Sequence, residues 1–204
     1  DWSAVLCFPD MRTNPRAGYL LPIEGNRWMS LVAKWHGSVD PADASEFVAS
    51  TRELRTNTIH DAIKQARMVD RVRRFGFSES AWRHYETLED LPRGLLPIGD
   101  AICRFNPIYG QGMTVAAQDA RFLKGLLESR CAHKEPLVGL GKAFVAGVAP
   151  LIAAPWAMAA IPDFLHPQTR GARPQNLDDT LQYMAALRSI AARDPTVHRL
   201  LHGV

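Results

Sequence analysis

Cysteine is scarce in this 204-residue chain: Cys7, Cys103 and Cys131 are widely spaced, odd in number and form no CxxC. That excludes a disulfide framework and predicts reduced thiols in a cytoplasmic setting. Charge of one sign is also lacking. A net charge of +3 is too small to point to nucleic acid. The arginines at 67, 71, 73, 74 and 83 read as a solvated face. No basic segment followed by an apolar core opens the chain, so no signal peptide is expected. Nor can a Ser/His/Asp set be assembled. The chain opens on Asp1, directly before an apolar strand-like run at 2–8, which reads as a truncation product or a fragment.

What is present suits an ordinary folded protein, with 47% apolar and 22% charged residues. The first third reads as β-structure. Residues 17–24 and 27–36 flank Gly25-Asn26, a tight hairpin signal. In the second run Met29, Leu31, Ala33 and Trp35 alternate with Ser30 and Lys34, which predicts an apolar and a polar face. Asp40-Pro41 marks a helix start, with Asp40 as cap, running to about 54. A shorter helix is expected at 58–66, then strands at 69–77 and 81–86.

After the turn Leu91-Pro92-Arg93-Gly94 comes a brief apolar strand, 95–98. A long helix follows at 112–128, with Met113, Ala116, Ala117, Ala120, Leu123 and Leu127 at helical spacing. Residues 143–162 carry no charge and are long enough to span a membrane. Pro150, Pro155 and Pro162 are expected to divide them into short packed helices. Helices are predicted at 136–147, 150–161 and 175–193.

The block Gly99-Asp100-Ala101 through Gly112-Met113-Thr114 carries the chemistry. An Asp at a strand end can accept hydrogen bonds from a sugar or ribityl hydroxyl. Gly110 and Gly112 let backbone approach a flat ring closely. The helix that opens there aims free N–H groups and a positive dipole end at an electron-rich or anionic guest.

Gly99, Asp100, Pro107, Gly110, Gly112 and Met113 match, position by position, the second FAD motif of flavoprotein monooxygenases. The block resembles that family, and 112–116 is similar to squalene epoxidases. Pro22-Ile23-Glu24-Gly25-Asn26-Arg27-Trp28 resembles a substrate-domain hairpin of bacterial members. With Trp82-Arg83-His84-Tyr85-Glu86, the likeness covers most of 17–130. Many hydroxylases carry His where Cys103 stands and Asn where Thr114 stands.

The resemblance implies Asp100 on the ribityl chain and Pro107 beside the reactive edge of the isoalloxazine. It places the amides of Gly112 to Thr114 on the pyrimidine ring. The expected cofactor-binding set is Gly99, Asp100, Pro107, Gly110, Gln111, Gly112, Met113 and Thr114. It also implies NAD(P)H as electron donor, O2 as co-substrate and a small organic or apolar substrate. A reductase or dehydrogenase of the same superfamily is the alternative. The family's GxGxxG pyrophosphate cradle is absent from these residues. The chain therefore reads as a C-terminal half that needs an N-terminal FAD-binding half in cis or trans, or as a non-catalytic remnant.

The expected fold is α+β, with the N-terminal Rossmann part absent. It has a substrate-side sheet region with two helices (1–92), the GD-motif strand–loop–helix of the FAD domain (93–130) and a helical C-terminal region (131–204). Other candidates have simpler readings. Cys103 is taken as a small residue in a tight loop rather than a redox thiol. His198 and His202 lack a third metal ligand, so no metal is expected. His84 and Tyr85 line a substrate pocket or merely alternate across a sheet. Trp28, Trp35, Phe75 and Phe77 are expected in the core. Peripheral membrane contact, from 143–162, is the minor expectation.

Overall fold

Gly25 and Asn26 both adopt positive φ, +74° and +53°, the left-handed geometry that a tight hairpin demands. The computed structural model describes residues 3–11, 13–37 and 39–202, His202 by its backbone alone. Trp2, in the expected first strand, lies outside them. The hairpin joins β2 (Arg16–Ile23) to β3 (Arg27–Lys34), and β1 (Val5–Cys7) adds on the other side in the antiparallel order β1-β2-β3. The chain divides into two compact units, 1–79 and 80–204. The first boundary expected from the sequence is 92/93. Residues 80–92 fall with the second unit because Ala81 and Trp82 pair with Arg104 and Cys103.

In the first unit the sheet packs Cys7 and Leu20 against Leu54 and Ile59, with Val5, Val32 and Ile63 around them. Gly18 makes this possible: a Cβ there would lie 2.5 Å from a Leu54 methyl. Register then sets the face of β3. Ser30 and Val32 stand opposite Leu20 and Gly18, on the buried side. Met29 and Leu31 are exposed, so the expected alternation is inverted over 29–32, whereas Lys34 is exposed and Trp35 buried as expected. A one-residue difference in register exchanges the two faces, and the packing of Leu20 decides it.

Helix α1 (Ala44–Ser50) starts later than expected. Its cap is Asp43, whose Oδ1 accepts the Glu46 N–H at 2.9 Å, while Glu46 reaches back to the Ala42 N–H. Asp40 instead faces Arg74. Helix α2 is Thr58–Ile63. Residues 69–77 form no strand. Arg71, Arg73 and Arg74 occupy both potential faces, Asp70 pairs with Arg73, and Phe75 is 89% exposed. Phe77 and Trp28 are exposed too; of the four expected core aromatics, Trp35 is buried.

The second unit joins β4 (Ala81–Trp82) to β5 (Cys103–Arg104) and adds four helices: α3 (Gln111–Arg130), α4 (Leu140–Asp163), α5 (Leu177–Ala191) and α6 (Pro195–His202). The fold is therefore mixed α and β with small sheets. The expected strand 81–86 shrinks to two residues, and 95–98 is not a strand, since Pro97 has no N–H to donate.

Helix α4 runs unbroken through Pro150 and Pro155, contrary to the expected division. Its stripe of Phe144, Val145, Val148, Ile152 and Ala159 is buried with Ile102, Phe105 and Val115, and that packing outweighs the lost helix hydrogen bonds. Phe122 lies so close to Gly147 that a Cβ there would be 2.1 Å from the ring. By length and composition alone α4 could cross a bilayer, with mean hydropathy 1.9.

Candidate functional site

The Gly99 to Thr114 block folds as a 3-10 turn (Gly99–Ala101), the short strand β5, a second 3-10 turn (Pro107–Tyr109) and the start of α3. Gly99 has φ +58°, where a Cβ would be strained. Its turn closes with Ala101 N–H on the Ile98 carbonyl and Ile102 N–H on the Gly99 carbonyl. Arg83 donates to the Asp100 carbonyl at 3.2 Å. The Asp100 backbone is thus held while its side chain stays exposed. Oδ1 of Asp100 lies 3.9 Å from the position a Gly112 Cβ would take, at the first turn of α3.

Gly110 also needs its positive φ of +66°, because the chain reverses there into α3. No side chain caps this helix start. Its first N–H groups therefore face outward with the positive end of the helix dipole. Asp100, Pro107, Gly110, Met113 and Thr114 are exposed, while Gly99, Gln111 and Gly112 are half-buried. The eight expected residues thus lie along one turn–loop–helix start in the second unit. Gln111 turns its amide to the Tyr109 carbonyl at 3.1 Å.

Several residues that hold this loop escaped the sequence reading. The Asn106 amide donates to the Asp163 carboxylate at 3.1 and 3.3 Å, and the Tyr109 hydroxyl donates to it at 2.9 Å. Asn106 Oδ1 also accepts the Ile108 N–H, and its own N–H reaches the Ser80 hydroxyl. The Pro107 turn is thereby pinned to the end of α4.

Asp119 is the second omission. It is fully buried, and its Oδ2 accepts the Gly99 N–H at 3.1 Å. Burial raises its pKa above the ordinary aspartate value, and the Gly99 hydrogen bond partly offsets this. The signal was a carboxylate on an apolar stripe. The buried side of α3 is Val115, Asp119, Phe122 and Leu126, one position from the stripe expected, and Met113 is 85% exposed.

Cys103 is buried, and burial, with the nearby Asp119 and Asp100 carboxylates, pushes its thiol up to about 12. At neutral pH it is no nucleophile. His84 is exposed, lies 2.6 Å from Glu86 through Nδ1 and rests against Trp82, while Tyr85 packs on the core. His198 lies on α6, and the His202 side chain is outside the described residues. Among the described residues no three metal-ligating side chains cluster.

No family model matches the sequence. Over 111 residues, 54% of the chain, it is 32% identical to Protein Rv3254 of Mycobacterium tuberculosis (strain ATCC 25618 / H37Rv). The aligned stretch is 23% of that protein, so the chain spans about a quarter of its relative's length. The relative's name states no activity.

Proposed function

We propose that this chain is the flavin-contacting C-terminal part of an FAD-dependent oxidoreductase, of monooxygenase type, acting on a small organic or apolar substrate. The observation that carries the reading is the uncapped start of α3, with the exposed carboxylate of Asp100 beside Gly112 in its first turn. A flavin fits the chemistry of that donor set. Asp100 would accept from ribityl hydroxyls. The amides of Gly112, Met113 and Thr114 would face the electron-rich pyrimidine edge, with the dipole of α3 favouring the negative charge of the reduced ring. Pro107, exposed and without an N–H, offers a flat apolar surface beside it.

The bound flavin would supply hydride acceptance from NAD(P)H and reaction with O2. The chain's own contribution is to orient the ring and stabilise its charge through fixed amides. In this reading the turn, β5 and α3 belong to an FAD domain and the three-stranded sheet to the substrate side. The ADP half of the cofactor would be held by residues outside this sequence, which contains no GxGxxG segment.

The test is FAD affinity by equilibrium dialysis, wild type against Asp100→Ala. Loss of a hydrogen bond from a hydroxyl to this carboxylate should cost roughly 0.5–3 kcal/mol. Equal affinity of the two proteins would refute the placement of Asp100.

A further inference from the structure

Asp119 carries a cost that the packing of the second unit does not explain. It is fully buried, yet Oδ1 has no hydrogen-bond partner among the described residues, and Oδ2 has the Gly99 amide. No ion pair to it is present among the described residues. A buried carboxylate with one neutral donor is unfavourable, and an apolar residue between Val115 and Phe122 would pack at lower cost. Its hydrogen bond reaches the residue before Asp100.

We propose that Asp119 is a positioning residue: its buried carboxylate anchors the Gly99 N–H and so fixes where Asp100 presents its side chain to the start of α3. The Gly99–Asp100 turn is held from three directions. Asp119 takes the Gly99 amide at 3.1 Å, Arg83 takes the Asp100 carbonyl at 3.2 Å, and the Gly99 carbonyl accepts from Ile102 at 2.8 Å. The 3-10 bonds set the local curvature but do not tie the turn to α3, whereas Asp119 does. Ala116 supports the same contact, its Cβ 3.5 Å from where a Gly99 Cβ would stand. Without the anchor, the αL residue Gly99 regains its wide conformational freedom and Asp100 swings away from Gly112. The consequence for ligand binding rests on the flavin reading above; the anchoring itself does not.

The test uses this chain with Asp119→Leu and Asp119→Asn, since Asn keeps an acceptor for the Gly99 N–H. Two quantities are read: hydrogen exchange of the Gly99 amide and FAD affinity by equilibrium dialysis. In a folded Asp119→Leu protein, Gly99 exchange should accelerate at least about tenfold and FAD binding weaken about tenfold, with Asn restoring both to within about twofold. A purely structural role would lower stability and leave the affinity of the folded protein unchanged. Unchanged Gly99 protection in folded Asp119→Leu overturns the anchor. If the wild type binds no FAD but Asp119→Leu still releases Gly99, the anchor stands and the flavin reading falls. If Asp119→Leu does not fold, an Asp100→Asn protein decides: its Gly99 amide resonance should still titrate with a carboxyl group, Asp119, and a resonance that does not move overturns the proposal.

Discussion

Replacing Asp163 with Ala should loosen the Pro107 turn and measurably destabilise the second unit. Its carboxylate accepts two donors from Asn106 and Tyr109, at 3.1 and 2.9 Å. A hydrogen bond to a charged group contributes about 1.5–3 kcal/mol, so the pair could reach about 3–6 kcal/mol if fully buried. Both partners are only half-buried, and water would re-solvate the freed groups. A negative charge at the last residue of α4 also opposes the helix dipole by about 0.3–1 kcal/mol, which the substitution returns. The net expectation is a loss of about 1.5–3 kcal/mol. Tyr109→Phe removes one of the bonds and should cost about 0.5–1.5 kcal/mol. The two effects should be non-additive, because the double variant cannot lose the shared bond twice. Urea unfolding followed by tryptophan fluorescence is suitable, since Trp82 and Trp156 pack on this core. A loss below about 0.5 kcal/mol for Asp163→Ala, or strict additivity, would refute the inference that these bonds pin the loop.

Gly147→Ala should destabilise the protein by about 1–3 kcal/mol in the same assay, because the methyl must displace the Phe122 ring. Asp119 predicts a pH effect with a definite sign. Its folded pKa is raised above the ordinary 3.8, so its contribution is fully present below that value and is lost as pH rises through the folded one. Asp119→Asn should therefore gain stability relative to wild type between acid and neutral pH; a pH-independent difference in unfolding midpoint contradicts this. Of the three thiols, Cys131 is exposed and should react quickly with a disulfide reagent at neutral pH, whereas Cys103, raised to about 12, and buried Cys7 should react only on unfolding. Fast labelling of Cys103 in the folded protein would contradict its burial.

The parts of the fold legible in the sequence are those where local chemistry decides. Gly25-Asn26 sets its hairpin, and the uninterrupted run after Gly110 sets α3. Where tertiary packing decides, periodicity misleads. The face of β3 follows from the pairing of Leu20 with Ser30, not from its own alternation. The prolines of α4 are outweighed by a buried stripe whose partners lie elsewhere in sequence. Residues 69–77 carry β-branched and aromatic residues but find no strand partner. The candidate site divides the same way. Its turn glycines and Asp100 lie in one contiguous block. Its supports, Asp119 and Asp163, are 20 and 57 residues from Gly99 and Asn106, where no spacing rule reaches.

We propose that the Gly99–Thr114 block holds the isoalloxazine and ribityl part of a flavin. Equilibrium dialysis of this chain against riboflavin, FMN and FAD, read by flavin absorbance, tests it most directly. The sequence has no pyrophosphate cradle, so the phosphates and adenine add little here. All three should bind saturably, with affinities within about threefold, less than about 0.7 kcal/mol apart, and weakened in common by Asp100→Ala. Absence of binding by all three would contradict it.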